Sequence, residues 1–581
     1  MFASSFLEAE SGNPPLRIGL LLDSKELPAC FAEVIGHVES CNFARLELLV
    51  INAEDRSRTA DFPPGRPLLN KLARLLLERR GRRTFLFGMY QRWDGRHRVA
   101  TVDPLAPIDC STRLAGVESI CAIPIRSRFV HRLADDDIER IRAKRLDVLI
   151  RFGFNILRGE ILNAARYGVW SYHHGDGDRY RGGPAYFWEV LEGNPISGAM
   201  LQVLTEELDA GRVLCKGYFP TRSGLSRERN CIQPYWGASA FVIQKLHELH
   251  QFGWQQVERN MALPKPYLGK KKIYTVPTNI EMVRWLVPAL ARKVLGRLLR
   301  RRAAKHWRLA IRTTNRLLGS SGSTPDLSDF CWFDSPRDHY YADPFLIEER
   351  GQCWVFFEDF NYTDQRGRIC CAQIADGKLG GPVSALERPY HLSYPCLFRV
   401  GDELFMIPES GSKGTVELYR CAAFPNQWTF ECVLYSAKAV DTTVWIKDGL
   451  YWFFTTLLEQ RGLGAQLWLF FSTSLTGKWT KHPANPISTD TRNNRGGGAI
   501  FERNGKLYRP SQDCSKHYGY SFTLNEVEIL DRNRYQEKPV VTVDPLWAPD
   551  LVGTHTYSQL GDIEIIDGCA LLPESLVIRA T

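Results

Sequence analysis

Two hydrophobic patterns divide the chain. From Arg17 to about Leu214, apolar runs alternate with segments of helical period. RIGLLL (17–22) and ARLELLVIN (44–52) read as buried strands around a helix-like stretch, the opening of an α/β sheet. From Asp135 the alternation regularises: DDDIERIRAKR predicts a helix, LDVLIRFGF a strand, GEILNAARY a helix, and GVWSYHH a strand running into a polar, glycine-rich loop. Such alternation implies parallel pairing, which sets that loop at the C-terminal strand ends, where open α/β sheets hold ligands. Residues 54–110, rich in Arg and broken by Pro and Gly, read as an insertion or peripheral elements.

Beyond Thr324 the helical period gives way to short β-type runs. A repeat emerges on the turn glycines Gly351, Gly401, Gly449 and Gly505, with a poorer copy at Gly561. The intervals of 50, 48, 56 and 56 residues match a four-stranded propeller blade. Five blades are expected. Between the halves, Val287, Leu290, Val294 and Leu298 fall at helical spacing among Arg and Lys, and Pro288 needs a first-turn position or a kink. Two readings of 281–303 stay open: a helix packed on one domain, or an interfacial helix touching anionic lipid. The expected layout is an α/β domain over 1–280 (core 17–52 and 115–225), a basic helical linker over 281–304, and an all-β five-bladed propeller over 305–581.

Composition adds little to this picture. The length of 581 residues exceeds what one core serves. The 15 Trp, 22 Tyr and 30 Phe suit sugar binding and β-rich cores alike. A net charge of +9, spread over this length, does not mark a nucleic-acid binder. The 15 cysteines lack CxxC pairs, which argues against a zinc knuckle or a disulfide framework and makes a cytoplasmic location the expectation. MFASSFLEAESGNPPL has no signal-peptide pattern, and no run approaches about 18 apolar residues.

Candidate chemistry in the first half lies in residues 168–214. Ser171-Tyr172-His173, Arg181-Gly182, Ser197-Gly198 and Leu208-Asp209-Ala210-Gly211 follow one another there. In order and spacing this resembles the tetrahydrofolate-dependent formyltransferases, the methionyl-tRNA and sugar-amine enzymes, and implies a formyltransferase-like open sheet. The resemblance implies that His173 manages the protons of the tetrahedral intermediate and that Asp209 orients it. His174, Arg181, Gly182 and Gly211 are expected at the cofactor, N10-formyltetrahydrofolate. Two departures matter: Ser171 stands where that family has Asn, and HGDGD (174–178) replaces an apolar segment. Asp176 and Asp178 are assigned to substrate, and no metal is assigned.

In the second half Glu358, Glu409, Thr456 and Asp513 each fall seven or eight residues after their turn glycine, while Asp343 and Asp441 each fall eight before theirs. Equivalent blade positions face one end of the channel, so these acids are expected to converge, with Arg495, His339, His517 and His555 completing a sugar or phosphate pocket. YADPF, FFEDF, SYPCLF, IPES and GGGAIF resemble the propellers of family 43 and family 32 glycoside hydrolases, and more closely that of plant glucosamine inositolphosphorylceramide transferases. The hydrolase resemblance implies Asp343 as base or nucleophile and Glu409 as acid. Glu358, Asp441, Arg495, Asp513 and His555 are expected to bind substrate, and a channel that only binds or braces remains open.

The first expectation is therefore an enzyme of surface-glycan or glycolipid assembly that transfers a formyl or related group to a sugar amine. The alternatives are glycosyltransferase or glycosidase-like chemistry at the propeller, or a glycan-binding scaffold. The expected partner is an amino-sugar, nucleotide-sugar or lipid-linked glycan, with no nucleic acid and membrane contact through 281–303. The expected location is cytoplasmic, peripheral to the inner membrane face.

Overall fold

The computed structural model describes residues 6–9, 11–54, 82–97, 103–127, 130–207, 211–222, 224–263, 265–299, 303–314, 317–318, 326–458 and 464–573. The chain forms two compact units, Met1–Leu298 and Leu299–Thr581.

The first unit is built on strands β1 (Leu16–Leu22), β2 (Ala44–Asn52), β3 (Ser119–Ala122), β4 (Val148–Arg151), β5 (Val169–His173), β6 (Ile196–Val203) and β7 (Arg212–Pro220). Their order in the sheet is β7-β6-β5-β4-β1-β2-β3. The five from β1 to β5 run parallel; β6 and β7 are antiparallel to their neighbours. Strand β1 is buried almost throughout, as a parallel sheet covered on both faces requires. The chain leaves β1 first towards β2 and β3, then returns on its other side as β4 and β5. This reversal places a topological switch point between β1 and β4, with Asp23 and Arg151 at its strand ends.

The helix expected over GEILNAARY is corrected: only a 3-10 turn, Glu160–Asn163, forms there. Gly159 enters it at φ +83°, and the short crossover to β5 leaves no length for a longer helix. Of the peripheral stretch 54–110, residues 55–81 and 98–102 lie outside the described residues. Helix Phe85–Asp94 is part of the unit's packing, its Phe87 and Tyr90 sharing a core cluster with Phe187, Trp188, Tyr274, Met282 and Trp285. Met282 and Trp285 belong to helix Asn279–Leu299, so the segment read as a linker packs its first half into this unit. Pro288 lies inside that helix rather than in its first turn.

In the second unit the described residues form five antiparallel sheets, the blades of the propeller. Blade I spans 339–386, blade II 393–435, blade III 439–481 and blade IV 495–543. Blade V closes the ring by joining the two ends: Ala303–Thr313 pairs with Ile563–Pro573, from Ala303 opposite Pro573 to Thr313 opposite Ile563. The expected turn glycines join the two inner strands of each blade. Arg350-Gly351, Asp448-Gly449 and Asn504-Gly505 each set two successive residues at positive φ, the conformation of a two-residue hairpin turn matched to strand twist.

The innermost strands carry the device that aims the channel side chains. Each of blades I to III bulges there, between Ala342 and Phe345, Ser393 and Cys396, and Val440 and Thr443. Within those bulges Asp343, Tyr394 and Asp441 take φ of 54°, 45° and 52°. A left-handed non-glycine residue is costly, and here three recur at one blade position.

Candidate functional site

The bulges bring acids together in the propeller channel. Asp343 is buried; its Oδ1 accepts a hydrogen bond from Thr556 Oγ1 at 2.9 Å and lies 3.4 Å from His555 Nε2. His555 Nδ1 pairs with Asp567 Oδ2 at 2.7 Å, and Asp567 Oδ1 accepts the backbone N–H groups of His555 and Thr556. Asp441 accepts Arg495 Nε at 2.6 Å, and its own backbone N–H approaches Glu409 Oε2 at 3.4 Å. The Arg495 guanidinium lies 4.8 Å from the ring centre of Tyr518. Glu358 Oε1 is reached by His391 Nε2 at 3.4 Å and Tyr340 Oη at 3.5 Å.

Burial and neighbouring charges act together on these carboxyls. Burial pushes Glu409 up to about 8, Asp441 adds to the shift, and Arg495 opposes it. Burial also raises Asp343, to about 6: His555 opposes, while Asp567 and Asp441 add. Glu358 is raised by burial and by the neighbouring Asp343 and Glu409. Burial alone would lower His555, but Asp567 and Asp343 outweigh it and favour the imidazolium. Burial thus raises Asp343, Glu358 and Glu409 alike, with His555 opposing the rise at Asp343 and Arg495 opposing it at Glu409.

Of the propeller residues singled out in the sequence, Asp343, Glu358, Glu409, Asp441, Arg495 and His555 come together. Asp513 does not join them: its carboxylate caps the turn at Ser515 N, 2.8 Å away, and its charged neighbours are Asp490 and Arg492. Thr456 turns its hydroxyl to the Asn494 carbonyl. His339 is held by Asp359 and Asn361. Five residues of this cluster were missed: Asp567, Thr556, Tyr518, His391 and Tyr340. Asp567 had a signal, standing six residues after Gly561 in the poorer fifth copy of the repeat.

In the first unit the residues expected at a formyl-transfer centre are engaged otherwise. Ser171 is buried and accepts Arg151 Nη1 at 2.9 Å. Arg151 Nη2 donates to the carbonyls of Phe154 and Asn155. His173 Nε2 is 2.9 Å from the Tyr180 carbonyl oxygen and serves as its donor. The His174 ring is packed among Tyr172, Tyr186 and Tyr235; burial lowers it to about 3, so it stays neutral. Asp176 and Asp178 share Lys216 Nζ at 3.5 and 2.6 Å. Arg181 donates to the Gly177 carbonyl, and the Arg181-Gly182 stretch pairs with Tyr274 through backbone bonds. Gly211 sits tightly against Gln202 and Val203 at the start of β7. Asp209 lies outside the described residues.

N10-formyltetrahydrofolate was tested against this set. Formyl transfer needs a free donor for the developing oxyanion and a free base. Ser171, in place of the expected carboxamide, is a hydroxyl already bound to a guanidinium, whereas His173, with its Nε2 proton on the Tyr180 carbonyl, keeps Nδ1 as the basic nitrogen. Among the described residues a base is present and the carboxamide donor is replaced.

The glucosamine inositolphosphorylceramide transferase 1, N-terminal family model matches residues 333–545. The transferase of that name from Oryza sativa subsp. japonica is 36% identical over 208 residues, 35% of this chain and 28% of that protein. The one from Arabidopsis thaliana is 35% identical over 210 residues, 35% of this chain and 27% of that protein. The chain thus spans under a third of these relatives' length. A methionyl-tRNA formyltransferase from Bacillus mycoides is 27% identical over 121 residues, 21% of this chain and 35% of that protein. Among solved structures, Zg3597, a family 117 glycoside hydrolase of Zobellia galactanivorans, aligns with TM-score 0.30 and 14% identity over 45% of this chain and 90% of that one. Glycinamide ribonucleotide transformylase 1 from Symbiobacterium toebii aligns with TM-score 0.26 and 16% identity over 40% and 88%.

These relatives correct the expected location. The plant transferases are named for a ceramide, a membrane lipid, and the cytoplasmic assignment is withdrawn. Among the described residues no helix is long and apolar enough to cross a membrane. The propeller half resembles the N-terminal part of glucosamine inositolphosphorylceramide transferases, and the α/β half resembles the formyltransferases.

Proposed function

We propose that this chain is a transferase of glycan or glycolipid assembly whose chemistry is done in the propeller channel on a glycosyl unit. The observation that carries the reading is the convergence of Asp343, Glu358, Glu409 and Asp441 in one channel, with His555 on Asp343 and Arg495 on Asp441. Two carboxyls in unlike surroundings, Asp343 facing His555 and Glu409 beside Asp441, suit base and acid roles at a glycosidic linkage. Glu409 gives its proton to the departing oxygen. Asp343 takes the proton of the incoming hydroxyl or attacks the anomeric carbon itself. Arg495, above Asp441 and beside Tyr518, is the cation for a phosphate of the substrate. The names of the plant relatives support an inositolphosphorylceramide-type acceptor, and the donor in this reading is a nucleotide sugar.

The test is incubation of the full chain with inositolphosphorylceramide vesicles and a panel of uridine-diphosphate sugars, with products read by mass spectrometry. Asp343→Asn and Glu409→Gln are each expected to lower product formation by about 10²-fold or more. Product formation indifferent to both substitutions sinks the reading.

Formyl transfer to a sugar amine keeps one observation in its favour, the 27% identity to methionyl-tRNA formyltransferase. Titration of the full chain with a stable folate analogue tests it. Micromolar binding lost in His173→Ala restores that reading, and no binding removes it.

A further inference from the structure

Helix Asn279–Leu299 is apolar on two sides, and only one of them is covered. Met282 and Trp285 are buried in the core of the first unit, with Leu286 and Ala289 packed against the same cluster. The opposite stripe is open: Ile280 is 65% exposed, Val283 48%, Val287 61%, Leu290 47% and Val294 56%. These positions recur every three or four residues and so lie one above another along the helix. A helix solvated on one side carries polar residues there. This one carries branched aliphatics.

The charges beside the stripe are of one sign. Arg284, Arg292 and Lys293 are exposed, and the sequence continues through Arg297 to Arg300, Arg301 and Arg302. The single acid between 279 and 302, Glu281, is consumed: it pairs with Lys271 and accepts Thr278 N at 2.8 Å. The strap leading into the helix repeats the chemistry, with Ile273 and Val276 exposed beside Lys270 and Lys272.

We infer that this face is a docking surface for an anionic lipid bilayer, on which the helix lies in the plane of the headgroups. Burying the aliphatic stripe in the acyl boundary supplies apolar contact, and the flanking cations meet anionic headgroups. A protein partner would need acidic and apolar groups in register with the stripe. A lipid surface supplies both without register, and basic residues surrounding aliphatics are its complement. Because Met282 and Trp285 anchor one side in the fold, the helix lies on the membrane and does not cross it. The inference stands on this surface alone and is independent of the channel chemistry.

The experiment is co-sedimentation of the full chain with phosphatidylcholine vesicles, with and without phosphatidylserine. The wild type is expected to bind the anionic vesicles and to be released by salt. The exposed-face variant Val287→Glu/Leu290→Glu is expected to lose binding by about tenfold or more while its thermal unfolding is unchanged. Arg292→Gln/Lys293→Gln is expected to weaken binding to anionic vesicles by roughly fivefold per charge, and little on neutral ones. Asp343→Asn should bind as the wild type does, which separates this surface from the channel. No binding by the wild type, or binding indifferent to the glutamates, overturns the inference. So does concentration-dependent dimerisation abolished by the same glutamates, which would assign the stripe to a second copy.

Discussion

Asp343 Oδ1 lies 3.4 Å from His555 Nε2, and that imidazole is held from its other side by Asp567 at 2.7 Å. His555 lowers Asp343 against the burial that raises it. In His555→Gln the opposing charge is gone and Asp343 ionises at a pH above its present value of about 6. The acid limb of the pH–rate profile for the transfer reaction is expected to move to higher pH. A profile that only falls in height would give His555 a packing role instead.

Glu409 and Asp343 both bind a proton more tightly in the folded chain than unfolded, where values near 4 apply. Their contribution to stability is fully present below the unfolded values. It is lost as pH rises through about 6 for Asp343 and about 8 for Glu409. Glu409→Gln cannot ionise, so the variant is expected to melt above the wild type at pH 9 and close to it at pH 4. Thermal denaturation across that range measures the difference, on the order of a few kcal/mol at the alkaline end.

Arg495 neutralises Asp441 inside the channel, with Nε 2.6 Å from the carboxylate. Arg495→Met leaves that charge buried and unpaired, at a cost of about 3–5 kcal/mol. The same change removes the guanidinium that opposes the rise of Glu409. Urea denaturation should show the loss, and Arg495→Met/Asp441→Leu should recover most of it.

Ser171 and Arg151 test the first unit. With its hydroxyl bound to the guanidinium at 2.9 Å, Ser171 acts as a structural acceptor. Ser171→Ala leaves one N–H of the partly buried Arg151 without its partner and is expected to cost about 1–3 kcal/mol in thermal denaturation, with the product of the channel reaction unchanged. A loss of product at unchanged stability would return Ser171 to the chemistry.

The amino-acid sequence determined the two architectures, because both leave local marks. Apolar runs such as RIGLLL report a strand covered on both faces, and hairpin turns demand residues that tolerate positive φ, so Gly351, Gly401, Gly449, Gly505 and Gly561 spell out the blades. That blade period also carried Asp343, Glu358, Glu409 and Asp441 to one place. Which acids share the channel was decided only in three dimensions. Asp513 has the right spacing, yet the turn after it offers Ser515 N and its carboxylate turns aside. Asp567 meets His555 within the last blade, twelve residues away, and the pair reaches Asp343 of the first blade because Ala303–Thr313 and Ile563–Pro573 close the ring. The formyltransferase-like motif marked the α/β fold in the same way, but not the state of its polar atoms. Spacing fixes where Ser171 and His173 stand on a strand, whereas Arg151 from the adjacent parallel strand and the Tyr180 carbonyl from the following loop decide what their polar atoms are free to do.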